Sequence, residues 1–121
     1  MKEEEVYWVG TQPILERKAA ALADDPAFVA AISAACEAAG CPVNRFISAM
    51  GPYGTWLVEI QRAGQVQRIV WNGKEARLAL QVPLVEGGWE DPVLIEIPTQ
   101  DTAGFVAGVN EIFASAAQRD V

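Results

Sequence analysis

The chain has 121 residues, 51% of them hydrophobic, which is enough to build one globular core without disulfides or a structural metal. Sixteen acids against nine bases give a formal net charge of −7, which argues against a nucleic-acid backbone or an anionic membrane as main partner and leaves a basic protein allowed. The absence of histidine removes the Ser-His and Cys-His catalytic arrangements together with the commonest metal ligand.

The chain opens on a charged stretch, Glu3-Glu4-Glu5, and a possible short edge strand at residues 6–8. Thr11 can cap a helix that tolerates Pro13 in its first turn, and Leu15, Lys18, Ala19 and Leu22 recur at helical spacing, so a first helix is expected to run to Ala23. Asp24-Asp25-Pro26 then restarts the chain with a cap and a first-turn proline. A second helix follows, its stripe formed by Phe28, Ile32, Ala35, Cys36 and Ala39 and its stop supplied by Gly40 and Pro42.

From Val43 the period changes from helical to alternating, with turn signals at short intervals, which is the pattern of an antiparallel meander. Five strands are expected, near residues 45–50, 55–61, 66–71, 74–82 and 93–97. In the second, Trp56, Val58 and Ile60 share one face; in the fourth, Ala76, Leu78, Leu80 and Val82 oppose Glu75, Arg77, Ala79 and Gln81. Asn72-Gly73 reads as a two-residue type I′ hairpin, and Pro83 with Glu86-Gly87-Gly88 as a break in the ladder. After Pro98, Thr99 or Asp101 caps a last helix with Phe105, Val109, Ile112, Phe113 and Ala116 on its apolar stripe; Gly104 and Gly108 permit close packing there. The fold class is α+β in a single domain spanning residues 1–121: two N-terminal helices, an antiparallel meander of four to five strands, and a C-terminal helix on one sheet face.

Few residues point to chemistry. Ser33 and Ser48 lack a histidine base, Cys36 lies on a core stripe, and Cys41 follows a helix end, where the dipole raises a thiol pKa. Asp24-Asp25 is explained by capping. Neither glycine-rich stretch has the spacing of a phosphate loop, so no catalytic residue, cofactor or metal site is assigned. Arg62, Arg68, Lys74 and Arg77 sit among Glu59, Glu75 and glutamines, which suits cross-strand pairing on a wet surface better than a nucleic-acid platform. Of the four tryptophans, Trp56 reads as core and Trp71, beside the Asn-Gly turn, as cover for a sheet edge. Trp89 stands in an irregular connection between Pro83 and Pro92. It is either a lid over the strand ends near Leu84 or an exposed anchor.

These features point to a non-catalytic acidic binding protein occupying a basic site on a protein partner, through Glu86, Trp89, Glu90, Asp91 and Glu96. In size and charge the chain is similar to bacterial toxin-immunity proteins, a resemblance that implies an inhibitor. A secretion-chaperone-like dimer is the near variant, although its strands usually bracket a helix; a small-molecule site between sheet and alanine-rich helices is the second class. The start lacks the basic and apolar regions of a signal peptide, and no apolar run approaches the roughly 20 residues of a membrane helix. A cytoplasmic monomer or homodimer is expected.

Overall fold

The computed structural model describes residues 22–50 and 54–119. Helix α1 (Pro26–Ala38) starts where Asp25 accepts a hydrogen bond from the Ala27 amide at 3.0 Å, with Pro26 in the first turn. It ends in a Schellman turn: the Cys41 amide donates to the Cys36 carbonyl at 3.0 Å and the Gly40 amide to Glu37 at 2.9 Å. That turn needs a left-handed residue, and Gly40 has φ +80°. Of the first expected helix only Leu22 and Ala23 fall among the described residues, and both are helical. The rest of it, the candidate strand at 6–8 and the acidic start lie outside them.

Five strands follow: β1 (Val43–Met50), β2 (Thr55–Arg62), β3 (Gln65–Asn72), β4 (Arg77–Pro83) and β5 (Trp89–Glu96). They form one antiparallel sheet in chain order, with β1 and β5 at its edges. Helix α2 (Thr102–Arg119) closes the chain, capped by Asp101, whose side chain accepts from the Gly104 amide at 2.8 Å. Both helices pack on the same sheet face. The cross-strand rows Trp56–Trp71–Leu78–Ile95 and Phe46–Val58–Ile69–Leu80–Val93 meet Phe28 and Ile32 of α1 and Phe105, Val109 and Ile112 of α2 in one core.

Phe105 is the hub of that core. Its ring stands edge-on to Trp71 at 4.9 Å, to Trp56 at 5.6 Å and to Phe28 at 5.6 Å. Trp71 is therefore fully buried in the central strand and does not cover an edge, which corrects the sequence expectation. Its flanking residues alternate, and the Asn-Gly turn nearby drew it outward on paper. Among the described residues the indole nitrogens of Trp56 and Trp71 have no hydrogen-bond acceptor. Gly108 lets α2 settle on Ile97 and Leu78, as its place on the apolar stripe suggests.

The turns correct the expected register. The two-residue hairpin with positive φ at both central residues lies at Ala63 (56°) and Gly64 (76°), between β2 and β3. At Asn72 the loop instead has four residues, Gly73 to Ala76, because the Asn72 side chain accepts from the Lys74 and Glu75 amides at 3.1 and 3.2 Å. β4 consequently starts at Arg77, three residues later than expected. Pro83 does not break the ladder: it pairs with Trp89, so β5 begins four residues early and the connection shrinks to Leu84–Gly88. Where Gln81 of β4 faces both Asp91 and Pro92 of β5, a bulge absorbs the proline on the edge strand.

Candidate partner-binding surface

Alternation along the strands sends a second set of residues to the sheet face away from both helices. Ile47, Leu57, Val70, Ala79 and Leu94 form an apolar row across all five strands. Beside it runs a polar row, Arg45–Glu59–Arg68–Gln81, in which Arg45 donates to Glu59 at 2.9 Å and Arg68 Nε to Gln81 Oε1 at 2.7 Å. Glu59 raises the pKa of the Arg45 guanidinium through that hydrogen bond and its charge. Of the four bases expected to pair across strands, Arg68 does so with Gln81 and Arg62 with Gln67, whereas Arg77 meets Glu75 of the preceding loop at 3.8 Å and Lys74 lies in that loop.

Gln81 continues the chain of bonds by donating to Asp91 Oδ1 at 3.0 Å. Its amide thus joins a cation to an anion, with both ends fixed by charge. Above it, the Arg68 guanidinium carbon lies 3.9 Å from the centroid of the Trp89 ring. Trp89 is 38% exposed and belongs to β5, so it is neither a lid over Leu84 nor part of an irregular loop. The strand sets its direction, and Arg68 holds the indole flat against the sheet.

The five residues named from the sequence do not form one cluster. Trp89 and Asp91 are brought together with Arg68 and Gln81. Glu96 stands opposite Arg77 at the other end of β5, Glu90 opposes Val82 on the helix side, and Glu86 occupies the loop. Arg68 and Gln81 were not singled out with them, because their place beside Trp89 depends on the four-residue loop at Asn72. Nor do the four bases make a stripe: Arg68 and Arg77 share the face turned away from α1 and α2, Lys74 is in a loop, and Arg62 lines a cavity on the helix side.

The thiols are buried. Cys36 is pushed up to about 12 by burial, then by Cys41 and Glu37, and Cys41 is raised by burial against an opposing effect of Arg62. Burial is thus the leading cause favouring the protonated thiol at both positions. Among the described residues no group of three or more His, Cys, Asp or Glu gathers to hold a metal, and no helix is long and apolar enough to cross a membrane. Comparison with family models, curated proteins and solved structures finds no match to this chain.

Proposed function

We propose that the chain is a non-catalytic binding protein that docks a basic segment of a protein partner on the β5 side of the sheet face turned away from α1 and α2. The observation that carries this reading is where exposed apolar bulk accumulates. Of the large hydrophobic side chains exposed among the described residues, Val66, Trp89 and Leu94 lie on this face and Val85 sits in the adjoining loop. A tryptophan and an arginine locked together give an aromatic anchor at little cost in side-chain entropy.

The charge around it selects the partner. On this face β5 carries Asp91 and Glu96 and no base, with Glu86 in the loop before it and Glu90 on the opposite side of the strand. The arginines of this face stand on β3 and β4 and on the far edge strand β1, where Arg45 and Arg68 already bond to Glu59 and Gln81. An incoming lysine or arginine therefore meets acids at the rim and apolar surface behind them. Inhibition of that partner, as an immunity-type protein would exert it, is the function this surface suits. A secretion-chaperone reading is weaker, because the five strands run without a helix between them.

The test is affinity capture from cells that express the protein natively. The wild-type chain is expected to retain a stoichiometric partner that the Trp89→Ala, Asp91→Asn double variant loses and Lys74→Ala keeps. Retention by the double variant, correctly folded, overturns the surface.

A further inference from the structure

On the opposite side of the sheet, a cavity of about 500 Å³ opens between the ends of β3, β4 and β5 and the last turns of α2. Its size falls within the roughly 300–1,000 Å³ of small-molecule sites. Leu80, Val93 and Ala116 make an apolar wall; among the described residues the polar lining includes Arg62, Gln65, Gln67 and Arg119 and no carboxylate. Two of the nine bases in a chain of net charge −7 thus meet at one cavity.

Gln67 makes this more than a chance meeting of surface arginines. Among the described residues it is the one buried polar or charged side chain, 2% exposed. Its amide is held loosely: Arg62 Nη1 donates to Oε1 and Nε2 donates to the Arg62 carbonyl, both at 3.4 Å, beyond the usual range of such bonds. A buried amide with long bonds has stabilisation to gain from a closer partner. Arg62 takes part in a further interaction as well, while Arg119 is exposed on the last turn of α2.

We propose that this cavity binds a small organic carboxylate with an apolar body. Arg119 holds the carboxylate beside Arg62 and the Gln67 amide, and the hydrocarbon lies on Leu80, Val93 and Ala116. Planar guanidinium groups match a carboxylate in two-pronged geometry, and the apolar wall favours a ligand with a hydrocarbon part over a bare inorganic anion. The site is independent of the partner surface, since it lies on the other face of the sheet.

Titration of the ¹⁵N-labelled protein with octanoate, 1-octanol and acetate, followed by NMR, is the test. Octanoate is expected to give saturable shifts at the Gln67 side-chain amide and at Ala116, with the other two probes binding about tenfold more weakly or worse. Arg119→Gln, at an exposed position, is expected to weaken octanoate about tenfold, and Gln67→Leu to weaken it with the remaining spectrum unchanged. No saturable response to octanoate, octanol binding as tightly, or full affinity in Arg119→Gln overturns the proposal.

Discussion

Arg68 and Trp89 belong to strands that share no hydrogen bond, β3 and β5, yet the guanidinium of one covers the ring of the other at 3.9 Å by reaching across β4. The contact fastens the edge strand to the middle of the sheet. It also leaves the outer part of the indole open to solvent.

This contact is measurable as a coupling. In a double-mutant cycle with Arg68→Gln and Trp89→Leu, urea unfolding is expected to give about 0.5–1 kcal/mol of interaction energy. Strict additivity would mean that the two side chains do not stack in solution. Trp89→Ala alone is expected to cost far less than the loss of a core aromatic, because the ring buries little against the helices.

The core makes the opposite prediction. Phe105→Ala removes the ring that Trp56, Trp71 and Phe28 all meet edge-on, and it is expected to cost about 3–5 kcal/mol. Trp71→Phe is expected to cost clearly less than that. It opens a small void but also removes a buried N–H that has no acceptor, a group whose desolvation costs about 1–3 kcal/mol. Equal losses in chemical unfolding would show that the indole nitrogen is satisfied after all.

The two glycines of α2 are expected to differ. A methyl group at Gly104 would run into the carbonyl oxygen of Thr99, a backbone atom at the helix start, whereas at Gly108 it would meet the tip of the Ile97 side chain, which can turn away. Each Gly→Ala change gains about 1 kcal/mol of helix propensity. Gly104→Ala should therefore lower the melting temperature and Gly108→Ala should leave it nearer the wild type; the reverse order would refute the packing described.

Stability should fall at high pH through Cys36. Its folded pKa of about 12 lies above the ordinary thiol value of 9.0, so the folded chain keeps a proton that the unfolded chain releases between those values. The stabilisation is complete below pH 9 and is lost as pH rises toward 12, with a slope of about 1.4 kcal/mol per pH unit. Cys36→Ala should flatten that slope in unfolding experiments across this window. An unchanged slope would assign it to other groups.

Much of the fold was legible from periodicity. The stripe of Phe28, Ile32 and Cys36, the caps at Asp25 and Asp101, and the alternation of Trp56, Val58 and Ile60 all follow from local chemistry, and each reappears in the structure. Register was less legible, because it rests on loop length. A two-residue turn at Asn72-Gly73 would have set Arg68 opposite Arg77, two like charges on one face. The Asn72 side chain, by capping two amides of a longer loop, moves Gln81 to that place and so creates the bridge to Asp91. The functional surface was only half visible for the same reason: Trp89 and Asp91 stand out in sequence, while their partners are chosen by a turn.

The bulge at Asp91 and Pro92 has a consequence for assembly. Growth of a filament by sheet extension needs both edges of each copy, one to receive and one to add. At β5, a proline without an amide hydrogen, a local kink and three acids spoil the ladder that a neighbouring β1 would need. Among the described strands that leaves β1 as the other edge, and a pairing of copies through β1 against β1 would be two-fold, closing at two without propagating.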